Sequence, residues 1–347
     1  MKLMKTTEAV GQVLCHDITQ IIPGVKKDAV FRKGHIITKE DIPVLLSVGK
    51  DTIYIWENDE TMMHENEAAQ VLYSMCACGT ASKMHSSSVK EGKIEVIADC
   101  DGLLKVDSEK LKKVNSFGEM MIATRHGNTT VKKDDKLAGT RIIPLVIKKD
   151  KLEAASHICD DGPILDIKPF VVRKAAIITT GNEVYHGRIQ DAFTPVIEKK
   201  IAEFGAQMMF HEVFDDDDKK ITDGCLRAIE AGAEIVFCTG GMSVDPDDKT
   251  PLAIKNTGAR IVSYGSPVLP GAMFLLSYYD AGDRLVPICG LPGCAMYNKR
   301  TIFDIVLPRL MARDMILADE LAGLGEGGLC LNCDVCTFPN CGFGKGF

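Results

Sequence analysis

The sequence predicts an α/β protein whose main body is a mostly parallel sheet flanked by helices, preceded by a smaller mixed or mostly β region. Three observations carry that prediction. From Arg173 onward, short apolar runs alternate with stretches of helical spacing, and strands joined in this way need crossover helices. The run AAIITT has the continuous apolar character of a strand buried on both faces. Between about 85 and 165 the runs KIEVIA, EMMIATRHG and RIIPLVIKK are instead broken by Gly and Asp turns.

In chain order, IITKEDIPVLLSVG reads as a helix, with Ile42, Leu45 and Leu46 at helical spacing, Thr38 as N-cap, Asp41 three residues on, and Gly49 as the stop. The three strand-like runs follow. FTPVIEKKIAEFG places Val196, Ile197, Ile201 and Phe204 on one helical face and ends at Gly205. The strand QMMFHEVF, the helix KKITDGCLRAIEAG and the strand EIVFC come next. AMFLLSYY and RLVPICG, joined by DAGD, read as a hairpin at one edge. A last helix runs from about Cys294 to Arg313, and GLGEGG links it to a cysteine-rich tail. The expected regions are residues 1–80, 81–168, 169–313 and 314–347; a 347-residue chain suits two or three units.

Hydrophobic residues make up 46% and charged residues 26% of the chain, as in a water-soluble globular protein. No run of about 18 apolar residues suggests a membrane span, and the N-terminus lacks a signal-peptide pattern, so the expected location is the cytoplasm. A net charge of -7 without a basic stripe argues against a nucleic-acid partner.

Four loops fall at strand carboxyl ends, where open α/β sheets collect ligands: TTGNEVYHGRIQD, FDDDDKK, CTGGMSVDPDDKT and CGLPGCAM. Gly240 and Gly241 allow successive backbone N–H groups to face an anion, with hydroxyls from Thr239 or Ser243. A TGG turn is as often structural. Asp245, Asp247 and Asp248 follow it, either as an N-cap and solvated turn before a helix near Thr250, or as cation ligands. Asp215 to Asp218 equally fit a helix N-terminus. Phosphate and carboxylates in one cleft require a cation between them, and magnesium binds both.

These loops resemble, in order and spacing, the molybdopterin-binding domain shared by molybdopterin molybdotransferases, molybdopterin adenylyltransferases and a damage-inducible hydrolase family. The resemblance covers roughly Lys174 to Leu310 and implies a molybdopterin-binding fold. It places cofactor contacts at Thr180, Gly181 and Asn182, at Asp216 and Asp217, and at Thr239, Gly240, Gly241 and Ser243. The segments PGAMF and GLPGCAM add Pro270, Gly271, Leu291, Pro292 and Gly293. It implies that Asp248, Asp191 and Glu183 are catalytic, with Asp191 and Asp248 positioning Mg2+. Some positions depart from the pattern: Asn182 stands for an aspartate, Asp245 for a glycine, Leu269 and Ala272 for two lysines, and Cys294 and Ala295 for an Asn-Pro pair. The molybdotransferase's DGYA signature and C-terminal β domain have no counterpart. In the N-terminal half, AVGQVLCHDI and FRKGHIITKEDIPVLLSVG resemble an opening found in some molybdopterin-binding proteins of anaerobes; Thr140 and Arg141 nearby fit a structural role as well as a ligand contact.

Of the 13 cysteines, nine are scattered, including Cys15, Cys225, Cys238 and Cys289, and read as buried small hydrophobes. Cys330, Cys333, Cys336 and Cys341, in CLNCDVCTFPNC, suit a metal better than disulfides in a reducing compartment. A [4Fe-4S] cluster, Zn2+ and an unmetallated or redox-active tail all fit this spacing. The resulting expectation is molybdenum cofactor biosynthesis, with Mg-dependent molybdate insertion and AMP release. The alternatives are a non-catalytic carrier or sensor of the cofactor and an adenylyltransferase. A homodimer or higher oligomer and a molybdoenzyme or cofactor-synthesis partner complete the picture.

Overall fold

The computed structural model describes residues 2–22, 26–55, 59–77, 83–243, 245–246 and 248–346, so Asp247 lies outside the described residues. The chain divides into two compact units, one of residues 1–99, 106–125 and 134–166, the other of residues 100–105, 126–133 and 167–347.

The first unit is β-rich. The strands Met84–Ser86, Lys93–Ala98, Lys136–Ile142 and Met120–Thr124 form an antiparallel sheet in that spatial order. Helix Glu65–Ala77 buries Leu72 and Met75. A separate core of Leu14, Ile18, Ile37, Leu45 and Ile53 holds the N-terminal segment. The helix expected around Ile42 begins only at Asp41, with Glu40 at its cap position. Thr38 does not cap it; the Asp41 carboxylate instead accepts from the Thr38 N–H (2.8 Å) and hydroxyl (2.9 Å). Gly49, at φ 76°, ends it as expected. RIIPLVIKK is not one strand: its halves lie in strands Lys136–Ile142 and Val146–Lys148, because Pro144 lacks the N–H that a continuous ladder needs.

The second unit is the α/β body. Its strands are β1 (Lys174–Thr180), β2 (Gln207–Phe214), β3 (Ile235–Thr239), β4 (Arg260–Tyr264), β5 (Leu275–Asp280) and β6 (Leu285–Leu291). Their spatial order is β2-β1-β3-β6-β5-β4. The strands β2, β1, β3 and β6 are parallel, and β5 is antiparallel to both neighbours. The β5–β6 hairpin is therefore not at an edge. Its β6 arm pairs with β3, as its unbroken burial from Val286 to Leu291 requires, and the edge falls to β4, which is partly exposed along its length.

Both faces are covered. Ala175, Ile177, Ile235 and Phe237 point to one side, where α1 (Phe193–Ala202) and α4 (Ile302–Met311) pack. Ala176, Ile178, Val236 and Cys238 point to the other, against α2 (Asp218–Glu230) and α3 (Thr250–Asn256). Phe237 meets Phe303 edge-on at 5.3 Å. The helix expected from Cys294 onward is split into a 3-10 turn, Gly293–Met296, and α4. Thr301 starts α4 afresh with a capping box: its hydroxyl accepts from the Phe303 N–H at 3.2 Å, and Asp304 accepts from the Thr301 N–H at 2.9 Å. Past α4, the segment expected as linker contains a helix, Ala318–Gly323. Among the described residues, no helix is long and apolar enough to cross a membrane.

Candidate functional site

Parallel pairing brings the carboxyl ends of β1, β2, β3 and β6 to one edge of the sheet, and the antiparallel β5 begins there. The loops after β3 and β6 and the loop before β5 surround an open cleft of about 520 Å3. Gly240, Gly241, Ser243 and Asp248 line one part of it, Pro270 and Gly271 a second, and Leu291, Pro292 and Gly293 a third. The peptide Leu269–Pro270 is cis. Nine of the residues read from the sequence as site residues thus share one cleft.

Two glycines explain how the first loop comes so close to its neighbours. At Gly240, φ is 82° and a Cβ would lie 2.1 Å from the Thr180 carbonyl oxygen; at Gly241, φ is 54° and a Cβ would lie 2.8 Å from the Thr250 hydroxyl. Buried hydroxyls tie the same loops. Thr180 Oγ1 donates to the Thr239 carbonyl (3.1 Å) and lies 3.0 Å from Thr250 Oγ1, and Thr250 Oγ1 donates to the Gly240 carbonyl (2.9 Å). Thr180 and Thr239 therefore face inward; the Thr239 hydroxyl is buried without a partner among the described residues. Neither lines the cleft, and the Thr180 hydroxyl ties the loops together.

Asp248 faces the cleft. One of its oxygens accepts from the Ser243 N–H at 2.8 Å. Burial and the nearby Asp248 charge push the Tyr264 phenol up, and its hydroxyl donates to the Met242 carbonyl at 3.1 Å. Asp245 is exposed and its carbonyl accepts from the Asp248 N–H.

The other acids are placed differently. Asp191 stands before α1, where Oδ1 accepts from the N–H groups of Phe193 (2.8 Å) and Thr194 (3.1 Å), and Oδ2 from the hydroxyls of Thr194 (2.5 Å) and Thr179 (3.0 Å). Burial pushes this carboxyl up, but the hydrogen bonds, led by the Thr194 hydroxyl, outweigh it and hold it below the usual range. Asp217 caps α2, accepting from the N–H groups of Lys219 and Lys220. Asp216 accepts from the Asn182 N–H at 3.2 Å, which joins the first two loops. Glu183 is exposed on the turn Asn182–Tyr185 that follows Gly181.

Among the described residues no cationic side chain lines the cleft, and Leu269, Ala272 and Met273 give one wall an apolar face. Phe193, Tyr297 and Asn298 also line it, with Tyr297 73% exposed. The sequence reading missed these last three. Only the position of Tyr297 four residues after the glycine of LPG could have pointed to it. Among the described residues, no three His, Cys, Asp or Glu side chains gather as a group able to hold a metal ion. Magnesium is usually bound by one or two carboxylates together with substrate phosphates, and Asp248 supplies one such carboxylate.

Comparison with known proteins adds to this geometry. The model of a family described as a probable molybdopterin binding domain matches residues 176–312, and that of a domain of unknown function matches residues 3–57. A putative competence-damage inducible protein of Bacillus subtilis (strain 168) is 30% identical over 88 residues, 25% of this chain and 21% of the relative. One from Clostridium kluyveri (strain NBRC 12016) is 26% identical over 156 residues, 39% of this chain and 37% of the relative. The chain thus spans well under half the length of these relatives. Among solved structures, the tungsten cofactor synthesizing protein MoaB of Pyrococcus furiosus covers 41% of this chain and 89% of its own at 18% identity, with a TM-score of 0.31. CinA of Thermoplasma acidophilum covers 40% and 98% at 18% identity, with a TM-score of 0.32. The segment 176–312, which holds every residue lining the cleft, is the part of the chain that matches the molybdopterin-binding domain model.

Proposed function

We propose that the cleft binds molybdopterin or its adenylate, and that the protein acts in molybdenum cofactor biosynthesis as a Mg-dependent molybdate insertase releasing AMP. The single observation that carries this reading is the meeting of the Gly240-Gly241 loop, Asp248, the Pro270-Gly271 turn and the Leu291-Pro292-Gly293 turn in one cleft. Backbone N–H groups of the glycine loop would meet the phosphate, and the exposed Tyr297 ring would cover the pterin plane. Magnesium, when bound, would be held by Asp248 and would offset the charge of the phosphates. Asp191 would act indirectly, since its oxygens cap α1 and hold the Thr179 and Thr194 hydroxyls. Positioning and charge stabilisation carry such a reaction, in which molybdate displaces AMP.

Anaerobically purified protein mixed with adenylylated molybdopterin, magnesium and molybdate should release AMP only when molybdate is present. AMP release independent of molybdate, or none despite bound ligand, would overturn the insertase reading. A carrier or sensor is favoured by one specific observation: among the described residues the cleft lining contains no lysine or arginine, and Leu269 and Ala272 occupy positions where the resemblance implies lysines. For that reading the expected result is tight binding without AMP release. An adenylyltransferase would instead form pyrophosphate from ATP and molybdopterin.

A further inference from the structure

The tail cysteines lie beyond the matched segment 176–312. Cys330 and Cys341 are half-buried, and Cys333 and Cys336 are exposed. All four line a single cavity of about 370 Å3. The backbone around them is anchored rather than loose. The Cys330 N–H donates to the Leu269 carbonyl and the Leu269 N–H to the Gly328 carbonyl, both at 2.8 Å, while the Gly344 N–H donates to the Gly327 carbonyl at 3.0 Å. Phe343 is buried in the core of the α/β unit, with Phe338 packed against that core.

Two basic residues line the cavity. Lys299 Nζ donates to the Asp334 carbonyl at 3.2 Å, and the Arg300 guanidinium stands 5.1 Å from the centre of the Phe338 ring. Arg300 is already paired with Asp304 at 2.8 Å, which leaves Lys299 to offset the negative charge that four thiolates gather. A lone tetrahedral ion, at about 2.3 Å from each sulfur, would draw the thiolates to within about 4 Å of one another. Among the described residues no three of the cysteines gather as a group able to hold a single metal ion, while all four line the one cavity. A cubane cluster suits this arrangement, because each thiolate binds a different iron.

We propose that Cys330, Cys333, Cys336 and Cys341 hold a [4Fe-4S] cluster in this cavity, beside the ligand cleft, with which the cavity shares Tyr297 and Asn298. The proposal is independent of the insertase reading, since it concerns residues outside the cleft. Its test is ligand exchange under anaerobic conditions: the full chain is mixed with a synthetic [4Fe-4S] tetrathiolate complex. Each of four protein thiols would replace one small thiolate and pass its proton to the thiolate it displaces, with no change in iron oxidation state. After desalting, iron and acid-labile sulfide are counted, and the dithionite-reduced sample is examined by electron paramagnetic resonance.

The expected result is about four irons and about four sulfides per chain, with a cubane signal. Cys333→Ser and Cys336→Ser, at exposed positions, should each fail to hold the cluster while keeping the melting temperature of the cluster-free wild type. Cys159→Ser, in the other unit, should retain it. Failure to retain iron and sulfide overturns the proposal, as does retention of the full cluster by both tail variants. So does a preference for one zinc per chain, without sulfide, when zinc and the synthetic complex compete.

Discussion

At Gly240 the backbone passes so close to Thr180 that no side chain fits. Gly240→Ala would place its Cβ 2.1 Å from a carbonyl oxygen at a positive φ, so it should cost about 2 kcal/mol or more and lower the melting temperature. Asp248 presents the opposite case, a side chain whose loss should leave the fold intact. Asp248→Asn should weaken Mg-dependent ligand binding by more than about tenfold, the loss that even an outer-shell change at a metal site causes, with an unchanged melting temperature. Tyr297→Ala should weaken binding of the same ligand by about tenfold with or without magnesium, the worth of one stacked aromatic. Some of this was legible from residues alone. The glycines and Asp248 sit in a loop whose pattern is local, whereas the inward turn of the Thr180 and Thr239 hydroxyls depends on which neighbouring strands they meet. Asp191 likewise read as a metal ligand, since sequence shows a carboxylate but not the four hydrogen bonds it already accepts.

Among the elements, α4 shows how local chemistry sets a boundary. The sequence carries Thr301 and Asp304 at capping-box spacing, yet the apolar run before them reads as one longer helix. Thr301→Ala should destabilise the α/β unit by about 1 kcal/mol, measurable by denaturant unfolding. At the other end of α4, Asp314 is buried against three cations: Lys105 (2.8 Å), Lys168 (2.5 Å) and Arg309 (2.6 Å). Burial pushes Asp314 up, but the hydrogen bonds from Lys105 and Lys168 and the Arg309 charge outweigh it, and its pKa falls to about 2. Lys105 is itself pushed down, by burial first and with Arg309 and Lys168 adding to it, although its Asp314 bond works the other way. Three cations together outweigh burial at Asp314, whereas at Lys105 burial outweighs the single ion pair.

A carboxyl with a folded pKa below its unfolded value stabilises the fold above the unfolded pKa and loses that contribution as pH falls through the folded one. Asp314 should therefore contribute about 2 kcal/mol at neutral pH, lost between about pH 4 and pH 2. Asp314→Ala should cost about 2 kcal/mol at neutral pH, since Arg309 keeps Glu320 at 2.8 Å and Lys105 and Lys168 are partly exposed, and should remove that part of the acid dependence. The network was not legible, since Lys105 and Lys168 lie far from Asp314 in the chain. The strand order was legible only in part. The hairpin of β5 and β6 was visible locally, but placing β6 inside the sheet required knowing that β3 lies beside it, and the edge strand β4 carries no strong pattern of its own.

Across the whole molecule, the α/β body was readable because its loop motifs follow in order along one segment, and parallel strands must deliver the loops at their carboxyl ends to one edge. The β-rich unit had no comparable marker; its runs showed strands but not their partners. The tail was readable as a thiol cluster, but not as the wall of a cavity next to the cleft. The central claim of the proposed function concerns charge: among the described residues the cleft is lined by Asp248 and by no cationic side chain, so on that reading magnesium would accompany a phosphate-bearing ligand. The most direct measurement is anaerobic titration of molybdopterin into wild-type protein and Asp248→Asn, each with magnesium and with EDTA. The account predicts tight binding only for wild type with magnesium. Equal binding by wild type in EDTA, or by Asp248→Asn in magnesium, would contradict it.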